Sequence, residues 1–184
     1  MSVMALRMPQ ALRRYTRDRR GVSAVEFALL APLMIGLYLG CAEISDGVAA
    51  DRKVSLIAAT LANLTSQVST ISTSEMTNIL DASSAIVAPY AASKLKMSIS
   101  CLNIDSTGKA TVKWSVTRNG TAKSGVLSIP SALAVPNSQL IFAETSYAYT
   151  PTVGYTITGT LTLSDQMYMA PRITAPTYGS TACT

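Results

Sequence analysis

Residues 22–44 form the only segment of this 184-residue chain long and apolar enough to cross a bilayer. In hydrocarbon every backbone N–H and C=O must find its partner within the protein, so a lone span of this kind has to be a helix. At about 1.5 Å per residue it extends about 35 Å, enough for a bilayer core of about 30 Å. Pro32 removes one backbone hydrogen bond and favours a kink, which membrane helices tolerate where neighbours compensate. Gly36 and Gly40 make one small-x-x-x-small pair, a weak signal for close helix approach.

The flanking charge gives the span a direction. Residues 1–21 hold Arg7, Arg13, Arg14, Arg17, Arg19 and Arg20 against Asp18 alone, and this segment carries the whole formal excess of +5. A pI of about 9.2 would ordinarily suggest nucleic-acid binding. Here the excess is confined to one short stretch beside an apolar span, which argues for orientation instead. The positive-inside rule places residues 1–21 in the cytoplasm and the C-terminal part across the membrane. A charge within a membrane helix costs roughly 2.5 to 3.5 kcal/mol on insertion scales, so Glu26 either snorkels to the interface or answers to a partner.

The basic run stops at Gly21, and the chain continues Val22-Ser23-Ala24-Val25-Glu26-Phe27. This junction resembles the cleavage site of type IV prepilins and pseudopilins. With Ala28-Leu29-Leu30-Ala31-Pro32-Leu33 following Glu26-Phe27, it is most similar to the TadE/TadG-like proteins of tight-adherence pilus systems. Tyr147-Ala148-Tyr149-Thr150-Pro151 and Met167-Tyr168-Met169-Ala170-Pro171-Arg172 also resemble the C-terminal half of TadE-like proteins. The resemblance implies that a prepilin peptidase removes the leader between Gly21 and Val22. It further implies that Glu26, with Phe27 beside it, serves assembly by pairing with the new Val22 amine of a neighbouring subunit. The implied partners are the prepilin peptidase, other pilin-like subunits, the pilus assembly platform and the bacterial inner membrane; no nucleic acid and no cofactor are implied. The N-terminus would then be cytoplasmic and the head periplasmic, with incorporation into a surface pilus as one outcome. A head this large suits a minor pilin or pseudopilin better than a major subunit.

Two other export signals compete for the same residues. Leu37-Tyr38-Leu39-Gly40-Cys41 approaches a lipoprotein signal, which would make the protein a cell-envelope lipoprotein anchored at Cys41; Tyr38 and the interruption at Glu26 weaken the match. Arg13-Arg14 and Arg19-Arg20 suggest twin-arginine export, but such signals usually end in a small-residue cleavage site, and the sequence after this span continues as a helix instead.

Beyond the span, Gly47, Ala50, Val54, Ile57, Leu61, Leu64 and Val68 recur at threes and fours, which predicts that the helix continues with one face buried. Ser72-Thr73-Ser74-Glu75 reads as a capping box opening a second helix from Ser74 to Tyr90, ended by Pro89. From Lys94 the period becomes two. Leu95, Met97, Ile99 and Cys101 alternate with polar residues. After Asp105-Ser106-Thr107-Gly108, so do Ala110, Val112, Trp114 and Val116, a hairpin pattern. Arg118-Asn119-Gly120 supplies a further turn, Gly125 to Asn137 reads as an irregular connection, and strands are predicted at Leu140–Thr150 and Tyr155–Ser164. The expected fold class is α+β, with a long N-terminal helix, a second helix and an antiparallel sheet of about four strands. Its expected segments are a leader (1–21), a transmembrane helix (22–44), an extracytoplasmic helical region (45–92) and a β-rich head (93–184).

The chain contains no histidine, so a histidine base and histidine metal ligands are excluded, and its three cysteines have no metal-ligand spacing. No glycine-rich phosphate loop is present. Lys96 and Ser98 share one face of a predicted strand, but a nucleophile needs a positioned base and not proximity in sequence. No catalytic, cofactor-binding or metal-binding residues are assigned. Cys101 and Cys183 both fall on the exported side whereas Cys41 lies in the membrane helix, so a Cys101–Cys183 disulfide is the expected pairing.

Overall fold

The computed structural model describes residues 20–151 and 159–184 and divides the chain between Ala42 and Glu43 into two compact units. The leader up to residue 19, and Tyr155 and Ile157 of the last predicted strand, lie outside the described residues. The helix α1 (Arg20–Ser66) contributes to both units.

In the second unit, the head, the stripe predicted from spacing is the buried face of α1 as far as Leu61, whereas Leu64 is half-buried and Val68 lies past the helix end at Ser66. Ala50, Val54, Ile57 and Leu61 are at most 2% exposed, and Ala58, Ala62, Thr65 and Ser66 widen the contact. After β1 (Thr70–Ile71) comes α2 (Thr73–Ala85). Its first turn is held by the capping box read from the sequence: the Glu75 N–H donates to Ser72 Oγ at 3.3 Å, and the Ser72 N–H donates to Glu75 Oε2 at 2.8 Å. These hydrogen bonds from Ser72 hold the Glu75 carboxyl below the usual range. α2 ends five residues before the expected Tyr90. Pro89 has no N–H to give to Ala85 and excludes helical geometry at Ala88. The chain instead tightens into three-residue turns, with Ile86, Val87 and Ala88 N–H donating to Ser83, Ser84 and Ala85 carbonyls.

The main sheet comprises β2 (Leu95–Ile104), β3 (Ala110–Arg118), β4 (Val126–Leu127), β5 (Ser138–Tyr149) and β6 (Leu161–Met169). Its order is β4-β3-β2-β5-β6, antiparallel throughout. β4 is the fifth strand, two residues long, within the connection expected to be irregular. The last strand runs on past the expected Ser164 to Met169, and takes in the Met167-Tyr168-Met169 stretch. A short parallel pair joins β1 to β7 (Thr177–Tyr178).

One reading of period two needs correction. Ala110, Val112, Trp114 and Val116 do not share a face, because a β-bulge shifts the β2–β3 register: Cys101 opposes Trp114 whereas Leu102 opposes Val112. The extra residue, Lys113, reverses which side the strand presents. Trp114 and Val116 therefore pack with α1 and α2, in the larger core with Met97, Ile99 and Tyr147. Ala110 and Val112 pack on the opposite face with Leu102, Ile104, Leu140 and Phe142. Leu127, Ile129 and Leu133 of the connection cover that second cluster, so β2 is buried on both sides.

The C-terminal segment is tied back across this body. Cys101 and Cys183 form a disulfide with Cα atoms 5.9 Å apart, both sulfur-bearing residues buried. Trp114 Nε1 donates to Pro176 O at 3.0 Å, and its ring lies 5.7 Å from that of Tyr178. Arg172 donates from its backbone to Ser66 O at 2.9 Å and from Nη2 to Asn63 Oδ1 at 2.9 Å, which closes the end of α1. Leu61 lies fully buried in the α1 face. Leu61→Ala is therefore expected to cost about 2 to 5 kcal/mol of unfolding free energy, measured by urea titration of Trp114 fluorescence. A change within about 0.5 kcal/mol, the size of a surface effect, would contradict a core role for α1.

Candidate functional site

The described part of the first unit is a helix whose apolar side chains face outward on every side. Val22, Phe27, Leu30, Leu33, Ile35 and Tyr38 are all more than half exposed, with Phe27 at 72%. Pro32 sits within α1 without ending it. A helix that is hydrophobic all round belongs in a membrane or a large core, and the described residues of the first unit supply no core. By length and composition this helix fits a single-pass membrane anchor.

The residues singled out by sequence lie along its start. Gly21, Val22, Glu26 and Phe27 are all exposed on the part of α1 that belongs to the first unit. Glu26 and Phe27 are consecutive and so occupy neighbouring faces about 100° apart. A Cβ built on Gly21 meets nothing within 4 Å, so this glycine is not required by packing. Cys41 is a free, exposed thiol on the same helix. Cys101 and Cys183, by contrast, are joined inside the head.

The head holds a cluster that sequence reasoning missed. Glu43, at 4% exposure, and Asp46 lie on α1 at the start of the second unit. Tyr149 Oη donates to Asp46 Oδ2 at 2.8 Å, and Tyr90 Oη donates to Asp46 Oδ1 at 2.7 Å and to Asp46 O at 3.1 Å. The Tyr90 ring meets those of Tyr147 and Tyr149 at centroid distances of 6.1 and 6.2 Å, the second edge-on. Two turns along α1, Lys53 Nζ donates to Ile86 O at 3.2 Å and Ala88 O at 2.6 Å, which satisfies carbonyls where α2 unwinds. Both fastenings use the same helical face. Asp46 and Lys53 are seven residues apart and flank the buried stripe, the only signal in the sequence that pointed to them.

Burial, then the Asp46 hydrogen bond and the charges of Asp46 and Glu43, push the Tyr149 hydroxyl up to about 12. Tyr90 is raised by burial first and then by Asp46. Burial also raises Tyr147. The arrangement fixes α1 to the sheet and gives no nucleophile–base pair. Among the described residues no group of three or more His, Cys, Asp or Glu could hold a metal ion.

Among the described residues, one outward-apolar helix joined to an α+β head fits the class of membrane-anchored, single-span proteins. Residues 21–62 match the model of the TadE-like protein family, so this stretch of α1 is similar to that family. No curated protein and no solved structure matched the chain.

The tyrosine–aspartate fastening makes a pH prediction. The folded pKa of Tyr149 lies above the ordinary 10.0, so its contribution is complete below pH 10 and is lost as pH rises through about 12. Asp46→Asn should lower stability at neutral pH by about 1 to 3 kcal/mol and move the tyrosinate absorbance midpoint of Tyr149 back toward 10.0. An unshifted midpoint would refute the fastening.

Proposed function

We propose that this protein is a non-enzymatic, membrane-anchored pilin-like subunit, a minor pilin or pseudopilin of a tight-adherence pilus or secretion system. The observation that carries this reading is the TadE-like match over 21–62, which begins at Gly21 and includes Glu26. The six leader arginines against one aspartate support a cytoplasmic N-terminus and a periplasmic head in the bacterial inner membrane. A disulfide in the head suits an oxidising compartment. The match runs continuously through Cys41, which favours this reading over a lipoprotein that begins there.

On this reading a prepilin peptidase cuts after Gly21. The new Val22 amine of one subunit then meets the Glu26 carboxylate of the next, and each charge relieves the other where isolated burial is most costly. Phe27 lies beside that contact and supplies apolar surface to the neighbouring helix. The pilus assembly platform and other pilin-like subunits are the partners.

Intact-mass spectrometry of membranes should find a chain beginning at Val22. Gly21→Arg has open space for its side chain and should leave the precursor uncut; normal trimming of this variant, or a lipidated chain beginning at Cys41, would overturn the reading. Glu26→Gln should insert and still be cleaved, yet fail to co-purify with the other pilin subunits. Wild-type co-purification and normal piliation would reduce Glu26 to an interfacial carboxylate.

A further inference from the structure

Past its apolar run, α1 stays free of outward charge for longer than a bilayer core requires. Between Glu26 and Asp51 the sequence holds only two charged residues, Glu43 and Asp46. Glu43 is buried, and both carboxylate oxygens of Asp46 accept from tyrosine hydroxyls of the head. On the same stretch Ile44 and Val48 remain 52% and 46% exposed. Apart from the hydrogen-bonded Asp46, the surface from Phe27 to Ala50 is uncharged over about 36 Å of helix. A bilayer core takes up about 30 Å, and each headgroup layer adds about 5 to 7 Å. With the apolar run filling the core, Asp46 and Val48 stand about 3 and 6 Å past Ile44, within the headgroup layer.

The head brings a second set of residues to this level. Thr145 Oγ1 donates to Val54 O at 3.0 Å, and Tyr149 Oη donates to Asp46 at 2.8 Å. Thr145 to Tyr149 along the strand and Val54 to Asp46 along the helix are each about 12 to 13 Å, so β5 runs beside α1 toward its N-terminal end. Thr150, the next residue, accepts from Lys94 Nζ at 3.2 Å, while Tyr90 Oη donates to Asp46 Oδ1 at 2.7 Å. The segment from Ala88 to Lys94 is therefore held near the Asp46 level toward both of its ends. Ala88, Pro89, Ala91, Ala92, Ser93 and Lys94 are exposed. Lys94 makes no ion pair among the described residues.

Small apolar residues that end in an ammonium, set a few ångströms past an apolar span, suit a layer where glycerol and acyl carbons meet phosphate oxygens. Tyrosine is favoured at the same depth, and lysine reaches its charge toward the phosphates while its stem stays in apolar surroundings. We propose that this end of the head is a bilayer-contact surface: Ile44, Val48 and the segment 88–92 lie among phospholipid headgroups, and the Lys94 ammonium rests on a lipid phosphate. The proposal rests on residues 22–44 being a membrane span; it does not depend on cleavage at Gly21 or on pilus assembly.

The test uses the full chain with Cys41→Ser and the head disulfide intact, in vesicles of phosphatidylethanolamine and phosphatidylglycerol. A fluorophore is attached through Ala91→Cys, through Leu30→Cys in the span, or through Ser106→Cys, an exposed turn position at the far end of β2. That strand is about 30 Å long. A nitroxide on the lipid headgroup should quench the label at 91 and spare that at 106, and aqueous iodide should do the reverse. Lys94→Glu should lower the ratio of headgroup to aqueous quenching at 91 by about fivefold or more, the effect of one lysine charge near an anionic lipid surface. Lys109→Glu, an exposed control in the turn after β2, should leave that ratio unchanged. If acyl-chain nitroxides still reach the label at 30 while 91 behaves like 106, the anchor stands and the proposal is overturned. Shielding of 91 from both quenchers, which a covering protein would give, overturns it too, as does an unchanged ratio in Lys94→Glu. Aqueous quenching at 30 would remove the span and the proposal together.

Discussion

α1 has to satisfy two different surroundings with one continuous run of backbone hydrogen bonds. Up to residue 39 it presents large apolar side chains in every direction, Leu30, Leu33 and Tyr38 among them. From Glu43 onward the same helix is one-sided, and Ala50, Val54, Ile57 and Leu61 form the floor on which the sheet is built. Neither half can exchange roles with the other. An all-round apolar surface gains nothing in water, and a face bearing Asp51 and Arg52 is costly in hydrocarbon.

The head secures its part of α1 by fastenings of different kinds. At one end Asp46 accepts from two tyrosines of distant elements, Tyr90 after α2 and Tyr149 at the end of β5. In the middle, Thr145 Oγ1 donates to Val54 O at 3.0 Å within the core. At the far end Arg172 caps Ser66, and the Cys101–Cys183 bridge fixes the tail that carries it. Hydrogen bonds to a charged acceptor are stronger than neutral ones, which suits Asp46 to the end where burial is least complete.

Much of this architecture was legible in the sequence because it follows from local periodicity. The helical stripe, the Ser72–Glu75 box and the first hairpin each repeat a spacing that a single segment reveals. What was not legible depends on pairing across the sheet. The bulge at Lys113 leaves no mark in the alternation of Ala110 to Val116, yet it sends half of that strand to a second core. β4 is too short to show a period and exists only because Val126 and Leu127 meet Thr111 and Ala110. Asp46 carries no local mark in the sequence, since its tyrosine partners lie 44 and 103 residues away. Gly21, Val22, Glu26 and Phe27 stood out for the opposite reason: their signal is wholly local.

Leu30 and Leu56 lie on the two halves of α1 with nearly equal exposure, 58% and 54%, so a label at either position meets its surroundings without interference from packing. With Cys41 replaced by serine and the head disulfide intact, a fluorophore attached through Leu30→Cys or Leu56→Cys reports which medium each half occupies in proteoliposomes. If the first half is lipid-embedded, a quencher carried on lipid acyl chains extinguishes the label at 30 and spares that at 56, while an aqueous quencher does the reverse. Quenching of both labels by the aqueous agent would contradict a membrane anchor at residues 22–44.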